Sequence, residues 1–200
     1  MERVRLRDGA EVTVRPVEPA DREAIRASFE RMGPDSRYKR FLSPMDELTE
    51  SQLDYLTQVD HHDHEALVAI EDAVGLGVAR YVRLERDGPR AEVAVAVIDD
   101  WQGRGLGSAL LERLSRRARQ DGIEIFTAAV LADNRAVVEL LGRLGTTTTT
   151  TTNAGPGQMD LEIELEGDTL TELMHHAASG AMQFAERIRT WRPGRGPLGG

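Results

Sequence analysis

Residues 99–114 read DDWQGRGLGSALLERL, and three glycines fall at alternate positions within that stretch: Gly103, Gly105 and Gly107. Arg104 lies between the first two and Ser108 follows the third. An apolar alternation precedes the run and a helical pattern follows it. A glycine-rich turn at the start of a helix exposes successive backbone N–H groups, and the helix N-terminus adds partial positive charge, so the two together form a cradle for an anion. The glycines let the backbone approach that anion closely. Arg104 can add charge, and Ser108 stands where a helix-capping hydroxyl would sit. The ligand this predicts is a phosphate or pyrophosphate. The stretch is not GxxxxGK(S/T), which excludes the nucleoside-triphosphatase loop. A GxGxxG dinucleotide fingerprint would need a glycine where Ser108 stands, and a βαβ unit opening the chain.

Other residues with chemical reach are fewer. Asp60–Glu65 (DHHDHE) sets His61, His62 and His64 almost side by side, a spacing that suits a solvated polar turn better than a tetrahedral metal site, and no metal is expected. Cysteine is absent, which removes disulfides and thiolate chemistry. No Ser/His/acid constellation stands out, so direct group transfer is expected over a covalent enzyme intermediate.

The elements that must position the glycine run can be read from periodicity. Strands are expected at 11–15, 66–70, 74–84, 91–99 and 124–131. Helices are expected at 21–32, 36–42, 49–59, 108–120 and 134–144. Thr146–Thr152 is a run of seven threonines, and a turn at Asn153–Gly157 leads into the alternating strand Met159–Leu165. Threonine favours extended backbone, so this reads as a hairpin, weakly specified in register because each threonine is chemically the same as the next. The order implies a mixed α/β domain over residues 1–166. A helical extension is expected over 167–188, with apolar positions able to pack on the core or against a second copy in a homodimer, and a disordered tail over 189–200.

Composition bounds the partners. The 200 residues are 40% hydrophobic with a formal net charge of -9, enough for one domain with a real core. The acidic balance weighs against a sequence-independent nucleic-acid binder. No apolar run is long enough to span a bilayer, and the N-terminus MERVRLRDG has no signal-peptide core, so a cytoplasmic protein without membrane association is expected.

Gln102–Gly107 (QGRGLG) matches the Q/R-x-x-G-x-G/A signature of the GCN5-related N-acetyltransferase (GNAT) superfamily, with the strand end VID before it and the helix start SALLERL after it. Downstream, NRAVVELLGRLG (Asn134–Gly145) is similar to the family's asparagine helix ending in glycine, and the first forty residues resemble the bacterial branch that includes protein lysine acetyltransferases. The resemblance implies a GNAT fold: a central mixed, mostly antiparallel sheet flanked by helices. It implies acetyl-CoA as co-substrate, its pyrophosphate on Gln102, Gly103, Arg104, Gly105, Leu106, Gly107 and Ser108, and its pantetheine arm on Val97 and Asn134. Glu92, the one carboxylate in the apolar part of AEVAVAVID, matches the strand position where such enzymes often carry a catalytic glutamate, and a base helps because a lysine amine is mostly protonated at neutral pH. A backbone N–H near Val97 would meet the thioester carbonyl. Tyr38 and Arg40 fall where the fold shapes the acceptor cleft. The sequence departs from the family at Leu141, where a tyrosine often serves as general acid. The implied activity is acetyl transfer to a primary amine, a protein lysine or a small molecule; the competing reading is an acyl-CoA-binding sensor with little turnover.

Overall fold

The computed structural model describes residues 1–72, 74–150 and 157–166. The helical extension and tail expected after residue 166, and most of the turn that closes the threonine hairpin, lie outside them.

Eight strands form one sheet in the order β1-β2-β3-β4-β5-β6-β8-β7. Its first half is a meander of β1 (Glu2–Arg5), β2 (Glu11–Pro16), β3 (His64–Glu71), β4 (Val74–Arg83) and β5 (Arg90–Val97), every neighbour antiparallel. β6 (Ile125–Leu131) joins β5 in parallel, and β8 (Gln158–Leu165) separates β6 from the edge strand β7 (Gly145–Thr150). The sheet is thus mixed and mostly antiparallel, as expected. β1 is an addition: Val4 is its one buried residue, too little apolar pattern to announce a strand, and the turn at Asp8 and Gly9 folds it onto β2.

Two helical layers cover the sheet. On one face, α1 (Arg22–Glu30), α2 (Pro34–Phe41) and α3 (Glu50–Thr57) surround a small core in which Ile25, Phe29, Leu53 and Leu56 meet Val17, Ala66 and Val68. The other face carries α4 (Leu106–Gln120), whose Leu106, Leu110, Leu111, Leu114 and Ala118 recur at helical spacing and pack on Ala79, Tyr81, Ala91 and Val93. Burying those four leucines contributes on the order of 2 kcal/mol each. α5 (Arg135–Leu141) closes the far end, with the Asn134 side chain accepting from the N–H of Val137 as its cap.

α4 begins earlier than expected. Gly105, at φ 93°, is its N-cap, and Ser108 is its third residue and makes no cap bond. A left-handed glycine ends the turn more abruptly than a hydroxyl cap would, which brings Leu106 and Gly107 into the helix.

The threonine run is a strand in its described part. β7 pairs with β8 from Gly145↔Leu165 to Thr150↔Asp160.

Candidate active site

The site is built where two neighbouring strands part. β5 and β6 pair at Arg90↔Ile125, Ala91↔Phe126 and Glu92↔Thr127, and no farther. Beyond Glu92 the strands separate and leave a cavity of about 550 Å3 between them, roofed by the glycine loop, α2 and α5. Ile98 N–H donates to the Leu76 carbonyl on β4 at 3.0 Å. Successive residues of a strand point their polar groups to opposite edges, so Val97 and Val95 direct theirs toward the opening. The Val97 carbonyl accepts from Gln102 Nε2 at 3.0 Å.

At one end of the cavity lies the glycine loop. The N–H groups from Gly103 to Ser108 make no hydrogen bond to any described residue; the first in the series that does is Ala109, to the Gly105 carbonyl at 3.0 Å. Gly103, at φ 73°, has open space where a side chain would project. A run of unpaired donors at the start of a fifteen-residue helix fits a pyrophosphate. Gly107 serves packing as well: a Cβ there would lie 3.0 Å from Leu140 Cδ2, so its absence lets α5 close on α4.

The side chains expected on this loop divide by role. Gln102 ties the loop down, its Nε2 donating to Val97 O, to Asp99 Oδ1 at 3.1 Å and to Ser36 Oγ at 3.2 Å. Asp99 Oδ2 accepts from Gly33 N–H at 3.1 Å, so the loop is fastened to the start of α2. Arg104 is not among the cavity's lining residues: its guanidinium pairs with Asp8 and stacks over Trp101 at 3.8 Å. Arg7, Lys39 and Arg143 line the cavity with Arg40, and Arg7 lies against Gly105 of the loop. Arg7 was missed because it lies in the turn after β1, a strand that the sequence pattern did not announce. Its position follows from the β1–β2 turn, where Arg7 N–H approaches the Arg104 carbonyl at 3.4 Å. Gly103, Gly105, Leu106, Gly107, Ser108, Val97 and Asn134 all line the cavity.

Glu92 stands at the vertex where β5 and β6 part, exposed and facing the cavity. Around it the sheet face toward α1–α3 carries one buried charge among apolar residues. Glu92 lies opposite Val82 and diagonal to Arg80, which itself lies opposite Ala94 and Ala66. Arg80 is 5% exposed. Its Nη1 donates to His64 Nε2 at 3.0 Å and its Nη2 to the Leu56 carbonyl at 3.0 Å. Burial, then the charge of Arg40, hold its pKa down to about 10, so it stays protonated at neutral pH. Arg40 lines the cavity, partly exposed, and burial also lowers its pKa against the attraction of Glu92 and Tyr55. Tyr38 is 41% exposed and is not a lining residue. Of the two acceptor-cleft residues expected, the fold brings Arg40 to the site and leaves Tyr38 on the outer side of α2. Leu141 lines the cavity and is 2% exposed; no tyrosine lines it among the described residues.

The three neighbouring histidines do not converge on one point. His61 Nδ1 bonds Glu65 Oε1 at 2.8 Å, His64 receives Arg80, and Glu65 is buried at 2% exposure rather than solvated. His62, Asp63 and Asp87 do gather at the surface, where Asp63 pairs with Arg83 at 2.7 Å. No described helix is long and apolar enough to cross a membrane.

An eight-stranded, mostly antiparallel sheet opened at a parallel pair, with a glycine loop and helix N-terminus over the opening, defines the acyl-CoA-handling class of transferase. Residues 24–146 match the Acetyltransferase (GNAT) family, and the chain belongs to that family. It is 39% identical to Acetyltransferase Pat of Mycolicibacterium smegmatis over 144 residues, which cover 71% of this chain and 43% of the relative. Acetyltransferase PA5475 of Pseudomonas aeruginosa is 35% identical over 144 residues, 70% of this chain and 77% of the relative. The chain therefore spans less than half the length of the mycobacterial relative it matches. The crystal structure of the GNAT domain of S. lividans PAT superposes with a TM-score of 0.75 at 32% identity, covering 82% of this chain and 96% of that domain.

Proposed function

We propose that the protein transfers the acetyl group of acetyl-CoA directly to a primary amine, a protein lysine being the first acceptor to test. One observation carries the reading: unpaired loop N–H groups, strand-edge backbone groups at Val95 and Val97 and the carboxylate of Glu92 line a single cavity. Gly103–Ser108 would hold the pyrophosphate, and Val97 the pantetheine arm, while the bound thioester supplies an activated acetyl group. The Val97 N–H is free to donate to the thioester carbonyl as negative charge develops there. Glu92, at the vertex, takes the proton of the incoming ammonium, directly or through a water, so that a neutral nitrogen attacks. With Leu141 buried at the cavity wall, the departing thiolate takes its proton from solvent.

Leu141 also favours a second reading, a module that binds acyl-CoA with little turnover. Free-thiol release from acetyl-CoA with lysine-bearing proteins and with small amines separates the two. Glu92→Gln is expected to lower amine-dependent kcat by about a hundredfold or more while leaving acetyl-CoA binding intact. Turnover unchanged by the substitution would remove Glu92 from the mechanism. Tight acetyl-CoA binding without turnover on either panel would favour the sensor.

A further inference from the structure

The acceptor side of the cavity carries positive charge that its own residues do not balance. Arg80 is almost fully buried, and both of its partners are uncharged: the Leu56 carbonyl and the His64 ring. His64 is held neutral, burial and the Arg80 charge bringing its pKa down to about 4. Arg40 makes no hydrogen bond and no ion pair with any described residue; its guanidinium rests over the Phe41 ring at 4.9 Å. It lines both the large cavity and an adjoining pocket of about 60 Å3, and Arg80 lines that pocket too. Met32, Phe41 and Ala96 are shared walls of the two spaces.

Several other guanidinium groups are matched to carboxylates, and Arg37 is satisfied by four backbone carbonyls. Arg15 is bidentate on Asp21, Arg83 pairs with Asp63, Arg104 with Asp8 and Arg113 with Glu2. Arg40 and Arg80 have no carboxylate partner among the described residues, and both line the small pocket that adjoins the site. Glu92 is the carboxylate that faces them, and one negative charge does not offset two positive ones. Withdrawing a guanidinium from water without an anion is unfavourable, and a planar set of donors at a cavity wall is suited to a carboxylate. An acceptor ammonium at Glu92 is repelled by these nearby charges, and a negative group on the same molecule would offset the repulsion.

We propose that Arg40 and Arg80 form an anion subsite that takes a carboxylate borne by the acceptor beside its reacting amine. The inference deepens the acetyl-transfer reading and rests on it. The carboxylate has two chemical sources: the α-carboxylate of a free amino acid, or an acidic side chain flanking a lysine. In either case the carboxylate docks on the arginines while the amine is presented at Glu92.

Matched acceptor pairs test this. One arm compares free amino acids with their carboxamides, and the other compares lysine peptides carrying a flanking glutamate with the same peptides carrying glutamine. Each pair is assayed for thiol release, and for calorimetric binding in the presence of coenzyme A, with the wild type, Arg40→Met and Arg40→Lys. The wild type should favour the carboxylate member of at least one arm by about tenfold or more. Arg40→Met should reduce that preference to within about twofold, Arg40→Lys should keep part of it, and retained acetyl-CoA binding shows that the variants fold. The arm that discriminates identifies the source. No preference in either arm, or a preference that survives Arg40→Met, overturns the subsite. If no amine is acetylated but binding still discriminates through Arg40, acetyl transfer fails and the subsite stands. If neither member of any pair binds, the subsite fails as well.

Discussion

Gln102 lines the cavity and also holds the binding loop in place. Its amide is spent on Val97 O, Asp99 and Ser36, three groups on the strand end, the loop and α2. Replacing it with alanine removes about 1 kcal/mol of positioning hydrogen bonding. Gln102→Ala should therefore raise the KM for acetyl-CoA by roughly fivefold to tenfold with a smaller change in kcat, read from initial rates at saturating acceptor. The glycines around it were legible because a positive φ and a close approach leave few alternatives to glycine, as at Gly103 and Gly105. The charges were less legible. Arg104 sits inside the motif yet turns to Asp8, while Arg7, nearly a hundred positions away in sequence, lines the cavity. Arg40 could be located by resemblance alone. That it meets Arg80 without a carboxylate is a tertiary fact, since the partners come from α2 and β4 and no local pattern joins them.

Among the elements, the strands with clean alternation and the helices with apolar spacing were readable, because half-buried surfaces impose periods of two and 3.6. The short strand β1 was not, since one buried valine makes no pattern. The parting of β5 from β6 was also hidden: both segments read as continuous strands, and nothing local marks Glu92 and Thr127 as their last shared pair. For β7 and β8 the pattern revealed the hairpin but left its register open. The structure supplies a pin at Gly145, where a Cβ would overlap the Glu164 carbonyl oxygen on β8. Gly145→Ala should force that pairing apart and destabilise the domain by roughly 1–3 kcal/mol, measured as a lower urea midpoint. An unchanged midpoint would mean that the edge hairpin yields without disturbing the rest of the sheet.

For the whole molecule, acid is the informative stress. His64 on β3 has its pKa lowered from 6.5 to about 4, first by burial and then by the Arg80 charge. Between those values the unfolded chain binds the proton and the folded chain does not, so stability falls as pH drops from about 6.5 toward 4. Allowing for its partial exposure, the loss is about 2 kcal/mol. Asp21, bonded to Arg15 and to the Glu18 N–H, has a lowered pKa, and its contribution fades at still lower pH, as the medium passes below the ordinary carboxylate range. Chemical unfolding at pH 7, 5.5 and 4.5 should show a steady decline that His64→Gln flattens; a flat wild-type profile would mean that His64 titrates alike in both states. The site lies well inside the sheet, at the fifth and sixth strands in the order, whereas the threonines form its last strand. Gly145 holds the first position of that strand, at the end of the sheet where β5 and β6 are still paired, and Thr150 lies opposite Asp160, which lies opposite the cavity-lining Ala129. The threonine strand thus runs toward the open end of the sheet, so a change in its pairing is felt first beside β8 and then at the strand that walls the cavity.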